Sequence, residues 1–260
     1  MGIEAKNKTY SNVICIGDSV TNERYHYEFE GILDKFKSKN YVYKSYPELL
    51  GNYYGCPYET LGEPGMTIPF TILELIKHID YILSLENPLV IFQFGNFFNA
   101  TLKVDDNLDI MWKDLYSRFD GDDIVVDESS KFIDGLDSDE KLAIITWFSK
   151  YEEFRNYWYI EEFFKISKML NRMKPIDIFG MLYGGVSFKI PTDYHLLNMW
   201  GVGPASHTDT IRTIDTIFPD IIDGHKTTES NKNLANEIIR QININKNSSS
   251  LNDNPYIWGT

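Results

Sequence analysis

The sequence has little of what marks secreted, membrane-spanning or nucleic-acid-binding proteins. It has two cysteines in 260 residues, Cys15 and Cys56, which excludes a disulfide framework and favours buried thiols. Lysine and arginine number 25 against 38 acidic residues, and the net charge of -13 argues against nucleic acid and against an anionic membrane surface as partners. No hydrophobic run reaches the length of a membrane-spanning helix.

The amino terminus also lacks targeting signals. Residues 1–8 have no apolar core of the secretory kind, and Lys6 stands where a myristoylation signal has Ser or Thr next to Gly2. We therefore expect a soluble protein without a signal peptide. No His, Cys and Asp cluster has zinc spacing, so we expect no metal and no cofactor.

What the sequence does contain is an alternation of apolar strands and amphipathic helices. The predicted strands are 13–16, 58–61, 88–94 and 174–183. The predicted helices are one ending near 39, one capped by Ser45 and ending near Gly51 or Gly55, then 70–85, 139–173, 208–218, and 229–244 with Thr228 as cap. This order predicts an α/β fold, a three-layer α/β/α sandwich with a mostly parallel central sheet and helices on both faces.

The alternation is interrupted between about 101 and 138, where aspartates are dense and periodicity is poor. Residues 120–123, Asp-Gly-Asp-Asp, do not have the spacing of an EF-hand loop, so a solvated, irregular insertion is favoured over a calcium site. We predict one domain over residues 1–244 with a helical and acidic insertion at about 101–173. Residues 245–260 are polar and are predicted to be a tail or a docking segment.

A candidate nucleophile ends the first strand. The apolar run 13–16 stops at Gly17-Asp18-Ser19, and the carboxyl end of a buried strand is where α/β sheets bind ligands. Ser19 is therefore either a nucleophile or simply the cap of the next helix. Aromatic residues make up 15% of the chain, and they either fill the core and its rim or line a surface for polar ligands such as sugars.

A serine nucleophile needs a base to take its proton, and His225 is the preferred candidate. It lies just before the last predicted helix, with Asp223 two residues earlier, on the same side of an extended segment and suited to orient the imidazole. The pair Asp193 and His195 has the same spacing, and His207 lies near Asp209, but neither is followed so directly by a capped helix. His26 and His78 are predicted to lie on a surface loop and a helix face.

Donors for an oxyanion are also present. The amides of Ser19 and Gly65 and the side chain of Asn96 would supply them, because Gly65 lies in a Gly-x-Pro-Gly loop after the second strand and Asn96 follows the third.

In this order the blocks resemble those of the SGNH (GDSL-type) hydrolase family. The blocks are Gly17-Asp18-Ser19, Gly62-Glu63-Pro64-Gly65, Gly95-Asn96 and Asp223-Gly224-His225. The resemblance implies that Ser19 is the nucleophile, His225 the base, Asp223 its orienter, and Ser19, Gly65 and Asn96 the oxyanion hole. The third block departs from the usual Gly-x-Asn-Asp, which leaves Asn99, or no asparagine, as alternatives to Asn96. The last block has one residue between Asp and His, where the family usually has two.

The expected function is hydrolysis of small acyl esters, with an O-acetyl group on a carbohydrate as the favoured substrate. The alternative is a catalytically weak or inactive SGNH-like structural or glycan-binding component of a phage particle. Acyl transfer would use the same residues. The expected partners are a small acyl ester or acetylated glycan, together with a homo-oligomer or virion assembly, and the expected location is the cytoplasm or the virion.

Overall fold

A computed structural model shows how the chain folds. It describes residues 10–18, 20–22, 32–62, 68–94, 99–103, 112–120, 123–126, 139, 143, 152–182, 196–198, 218 and 226–248. Their strands are β1 (Asn12–Ile16), β2 (Tyr58–Leu61), β3 (Pro88–Phe94), β4 (Asn99–Lys103), β5 (Trp112–Asp120), β6 (Asp123–Val126), β7 (Asp177–Leu182) and β8 (Leu196–Asn198). Their helices are α1 (Ile32–Ser38), α2 (Tyr46–Tyr54), α3 (Ile68–Lys77), α4 (Ile79–Ser84), α5 (Glu152–Met173) and α6 (Thr228–Ser248).

The central element is a parallel sheet of five strands in the order β2-β1-β3-β7-β8. Each of its interior strands is hydrogen-bonded on both sides, and every residue of β3 is buried. A strand buried on both faces can be continuously apolar, which explains the runs at 13–16 and 88–94. The predicted α/β class and mostly parallel sheet are confirmed.

Side chains that alternate along the strands divide the core into two layers. Ile14 and Ile16 of β1 point to one face, where they pack with α3, α4 and α5. Val13 and Cys15 point to the other face, where they pack with α2 and α6. Because successive residues of a strand face opposite sides, each face buries its own helices and the sandwich has three layers.

Helix α5 covers the sheet rather than standing apart from it. The ring of Phe163 lies against the rings of Phe92 and Phe94, with centroid distances of 4.6 and 5.2 Å. Gly180 of β7 leaves room for this contact, since a Cβ there would lie 2.7 Å from Phe94 and 3.0 Å from Phe163. The predicted helix is thereby confirmed over Glu152–Met173.

The prediction of an irregular insertion is wrong. Strands β4, β5 and β6 form a three-stranded antiparallel sheet. Backbone pairing between neighbouring strands stabilises this region even though its charge is high, and that pairing leaves only a weak trace in hydrophobic periodicity.

Several helix predictions need correction at their boundaries. The helix predicted over 70–85 is two helices separated at His78, whose Nδ1 lies 2.9 Å from the carbonyl oxygen of Glu74, a group of the preceding turn. Ser45 occupies the N-cap position of α2, but its side chain makes no capping hydrogen bond. The second helical residue is Pro47, which lacks one of the two N–H groups that such a cap can bind.

The last helix begins one residue earlier and ends later than predicted. Its cap is Thr227, whose Oγ1 accepts the backbone N–H of Ser230 at 3.2 Å, while Thr228 is the first helical residue. The backbone stays helical to Ser248, so the predicted tail does not begin at 245.

Two further predictions concern β8 and the helix at 208–218. Strand β8 was not predicted, because three residues are too few for a periodic pattern. The predicted helix at 208–218 lies outside the described residues, except Phe218. That ring is buried against Phe36 and Tyr41.

Candidate functional site

The carboxyl ends of β1, β2 and β3 meet at one edge of the sheet. Ile16 is paired with Leu61 on one side and with Phe92 on the other. The Gly17 N–H extends this pairing by donating to the carbonyl oxygen of Leu61 at 3.1 Å. The connection from β1 to β2 carries α2 on one face, and the connection from β2 to β3 carries α3 and α4 on the other. The strand order therefore reverses beside β1, and such switch points are where open α/β sheets bind ligands.

Five predicted site residues lie outside the described part of the chain: Ser19, Gly65, Asn96, Asp223 and His225. The same is true of the alternative histidines His195 and His207. Asn99, the other oxyanion candidate, begins β4 and is paired with Tyr116.

The described residues nevertheless extend to within a few positions of Ser19, Gly65 and Asn96 in the sequence. Asp18 directly precedes Ser19, Gly62 is three residues before Gly65, and Phe94 is two residues before Asn96. The three blocks thus follow the ends of three adjacent strands.

Asp18 organises the chain on both sides of position 19. Its carbonyl oxygen accepts the N–H groups of Thr21 and Asn22 at 3.0 and 2.9 Å. Its Oδ1 accepts the N–H of Val20 at 2.9 Å, as in an Asx turn. Three backbone amides therefore converge on one residue. The contact of Val20 with the side-chain Oδ1 gives the aspartate a structural role that does not depend on catalysis.

The turn is also tied to the end of β2. Asn22 Nδ2 donates to the carbonyl oxygen of Gly62 at 2.8 Å, and Thr60 Oγ1 donates to Asn22 Oδ1 at 3.1 Å. Gly62 has φ 111°, a conformation that favours glycine. The segment that follows Ser19 and the segment that leads to Gly65 are therefore hydrogen-bonded to each other.

A buried chain of hydrogen bonds supports the turn from below. Gln93 of β3 donates from Nε2 to Asp18 Oδ1 at 2.8 Å and accepts the Thr21 hydroxyl at Oε1. Thr21 Oγ1 also lies 2.7 Å from the Tyr46 hydroxyl, and because the Thr21 proton is used on Gln93, Tyr46 is the donor. The Cys15 thiol lies beside the Tyr46 hydroxyl.

Four side chains in this buried group are completely inaccessible to solvent: Gln93, Thr21, Tyr46 and Cys15. Burial raises the pKa of the Tyr46 hydroxyl well above its ordinary value, and it raises the pKa of the Cys15 thiol in the same way. Both groups therefore stay neutral near pH 7 and act as hydrogen-bonding groups, not as acids.

Gly17 is required by lack of space rather than by its backbone angles. A Cβ there would lie 2.5 Å from Gln93 Oε1 and 2.8 Å from Gln93 Cβ, and it would also collide with the Thr21 hydroxyl. Any side chain at Gly17 would push apart the groups that hold Asp18.

The start of α6 is hydrogen-bonded to the segment before α2. The Thr228 N–H donates to the Tyr41 hydroxyl at 2.8 Å, and Thr228 Oγ1 accepts the Lys44 N–H at 3.0 Å. Lys44 is two residues before Tyr46, whose hydroxyl contacts Thr21. Thr228, three residues after His225, is therefore hydrogen-bonded to the segment that leads into α2, and Tyr46 of α2 contacts Thr21.

Sequence reasoning did not find Gln93, Thr21 or Tyr46. The signal for Gln93 was a single polar residue in the otherwise apolar run 88–94, since a buried amide needs partners for both ends. Thr21 and Tyr46 carried no such signal, because hydroxyls are common in turns and in helix first turns.

The described part of the chain contains neither a candidate metal site nor a candidate membrane-spanning helix. No group of three or more His, Cys, Asp or Glu side chains there is arranged to hold a metal ion. None of its helices combines the length and apolar character needed to cross a bilayer.

No protein-family model matches the chain, and no curated protein matches it.

Proposed function

We propose that the chain is a serine hydrolase of the SGNH type that cleaves small acyl esters. The observation that carries the proposal is the shared edge of β1, β2 and β3, because Ser19, Gly65 and Asn96 follow these three strand ends within four residues. The contacts of Thr228 with the segment before α2 support a histidine base at 225 on the same side.

In the proposed reaction, Ser19 Oγ attacks the acyl carbonyl carbon while His225 takes the hydroxyl proton. Asp223 holds the imidazole in the required tautomer. The amides of Ser19 and Gly65 and the side chain of Asn96 stabilise the oxyanion, and loss of one such donor costs about 3 kcal/mol of barrier.

Collapse of that intermediate transfers the proton from His225 to the leaving alcohol and leaves an acyl-serine. Water then attacks the acyl group, His225 accepts a proton from the water, and the carboxylic acid and free serine are released. An O-acetylated carbohydrate is the substrate class we favour, since the chain is rich in tyrosine and other aromatic residues that bind sugar faces.

The test is covalent labelling with a fluorophosphonate probe together with hydrolysis of p-nitrophenyl acetate. We expect the purified protein to be labelled at Ser19, and we expect Ser19→Ala to abolish labelling and turnover. Ser38→Ala is the matched control, because Ser38 is an exposed serine on α1 whose hydroxyl donates only to the local carbonyl of Lys35.

The opposite result would favour the structural alternative. A folded protein with neither labelling nor turnover would contradict the hydrolase proposal and support an SGNH-like structural or glycan-binding component. Labelling with transfer of acetyl to added sugar, in preference to water, would indicate an acyltransferase.

A further inference from the structure

We propose that Gln93 is a positioning residue that sets the geometry of the chain around Ser19. Its catalytic consequence rests on the proposed function, whereas its structural consequence does not. The juxtaposition that carries the inference is one buried amide bonded to residues on both sides of position 19, Asp18 and Thr21.

The chemistry of Gln93 is unusual for its place. It is the one polar residue of the sequence Pro-Leu-Val-Ile-Phe-Gln-Phe that forms β3, and it is completely buried. A buried primary amide is costly unless both its oxygen and its nitrogen are hydrogen-bonded. A leucine or methionine would suit a core strand better, so the amide is explained by what it holds.

The amide holds the turn that follows the neighbouring strand β1. The side-chain Nε2 of Gln93 and the backbone N–H of Val20 donate to the same acceptor, Asp18 Oδ1. The carboxylate is therefore fixed from two directions, and it fixes in turn the amide that follows position 19. Without the Gln93 donor, the Asp18 side chain can rotate and release Val20.

The orientation of the amide is also determined. The Asp18 carboxylate can only accept, so the NH₂ group of Gln93 faces it and Gln93 Oε1 faces Thr21, whose hydroxyl donates to it. If the amide were flipped, its NH₂ group would face the Thr21 proton and its oxygen would face the Asp18 carboxylate, so both contacts would be lost. One arrangement of Gln93 satisfies all partners, which makes the turn rigid before any substrate arrives.

For the reaction we propose, this rigidity acts on the attacking oxygen. A displacement of about 1 Å of a catalytic group costs roughly a hundredfold in rate. Gln93 lies one strand away from position 19 and supports the residues that flank it, so a change there acts on kcat through position and leaves substrate affinity largely unchanged.

The experiment compares Gln93→Met with a matched control, Gln241→Met. Gln241 Nε2 donates to the Glu237 carboxylate at 2.7 Å, the same kind of bond, but it lies on α6 thirteen residues after the helix start. We expect kcat for p-nitrophenyl acetate to fall about 10- to 100-fold in Gln93→Met with KM within about twofold. We expect Gln241→Met to keep both constants.

A second measurement does not depend on activity. Hydrogen exchange of the Val20 amide, followed by NMR, should accelerate about tenfold in Gln93→Met, which corresponds to the net loss of one hydrogen bond. The same amide should be unaffected in Gln241→Met. If the wild type neither turns over nor labels, the hydrolase proposal fails, and the Val20 exchange rate alone decides the role of Gln93.

Gln93→Glu supplies a conservative rescue that depends on pH. A protonated glutamic acid donates to Asp18 and accepts from Thr21 as the amide does, whereas a glutamate would face the Asp18 carboxylate and repel it. Among the described residues, the other titratable side chains beside Asp18, Thr21 and position 93 are Tyr46 and Cys15. Burial raises the pKa of both, so both are neutral. The ratio of Gln93→Glu to wild-type kcat should therefore rise as pH falls, while the ratio for Gln93→Met stays constant.

Three results would overturn the inference. The first is a Val20 exchange rate in Gln93→Met equal to that of the control. The second is accelerated exchange with an unchanged kcat in an active protein. The third, in an active protein, is a Gln93→Glu ratio that does not change with pH.

Discussion

Substitution of Gly17 by alanine tests the packing below the turn more directly than any other single change. Gly17 has an ordinary backbone conformation, so a methyl group meets no torsional objection. It meets a steric one, because the new Cβ would lie 2.5 Å from Gln93 Oε1 and 2.8 Å from Gln93 Cβ. Both of these atoms belong to a fully buried side chain that cannot move into solvent.

The cost follows from two effects. Forcing one extra methyl into a packed interior costs about 1–3 kcal/mol. Displacing Gln93 or Thr21 from their mutual hydrogen bond leaves a buried polar group unsatisfied, which costs about 1–3 kcal/mol more. We therefore expect Gly17→Ala to lower the free energy of unfolding by about 2–6 kcal/mol, a large part of the stability of a typical domain.

The assay is equilibrium unfolding in urea, with Gly55→Ala as the contrasting variant. Gly55 has φ 66° at the end of α2 and no neighbouring atom within 4 Å of an added Cβ. Its substitution costs only the left-handed backbone penalty, about 1–2 kcal/mol. The order of the two costs therefore separates steric exclusion from backbone strain.

A loss below about 1 kcal/mol for Gly17→Ala would refute this reasoning, because it would mean that the Gln93 and Thr21 side chains have room to move. A double-mutant cycle with Thr21→Ala sharpens the test. Removing the threonine hydroxyl should relieve part of the clash, so the two costs should combine to at least about 1 kcal/mol less than their sum.

Three other predictions concern regions away from the turn. Gly180→Ala should cost about 1–3 kcal/mol in urea unfolding, because the added methyl would collide with the rings of two core phenylalanines in α5 and β3; a neutral result would contradict the packing of α5. Burial raises the pKa of Tyr10, whose hydroxyl also donates to an aspartate, and burial does the same for Tyr46. The contribution of these two tyrosines to the free energy of unfolding should therefore be fully present below pH 10, and it should be lost above pH 10 because they ionise in the unfolded chain. In spectrophotometric titration they should ionise only on unfolding. With Ellman's reagent, Cys56, which is half-buried, should react in the native protein, whereas Cys15, which is fully buried, should react only in denaturant; Cys15→Ser should leave the native signal unchanged.

The parts of the fold that could be predicted from the sequence are those with long, regular patterns. The run at 88–94 is bounded by a proline and a glycine and agrees with β3 in both limits. The alternation of such runs with amphipathic helices was enough to predict the parallel sheet, because parallel strands need crossover helices.

The parts that could not be predicted have short or weak patterns. The three residues of β8 join the sheet by pairing with β7, a tertiary contact that leaves no local signature. In the acidic region, Phe119 and Ile124 flank the sequence Asp-Gly-Asp-Asp, and a glycine-containing pair between two strands is a hairpin signal. Charge density outweighed that signal in the prediction.

The sequence was sufficient to predict that the Gly-Asp-Ser segment lies at the carboxyl edge of the sheet. It was not sufficient to predict the hydrogen bonds around that segment. A buried strand that ends in Gly-Asp-Ser indicates the carboxyl edge of a sheet, and the described ends of β1, β2 and β3 meet there. The partners of Asp18 were not predictable, because Gln93 is 75 residues away in the chain and only the sheet register brings the two together.

Only some substitutions near Ser19 can test catalysis. A side chain at Gly17 would collide with Gln93 and Thr21, and the Asp18 carboxylate accepts hydrogen bonds from Val20 and Gln93. Both residues would therefore be needed in a protein with no enzymatic activity. Loss of activity on changing either one would follow from damage to the turn. Ser19→Ala removes none of the hydrogen bonds that Asp18 makes with Val20, Thr21, Asn22 and Gln93, so an activity that disappears in that variant, with urea unfolding unchanged, depends on the serine oxygen itself.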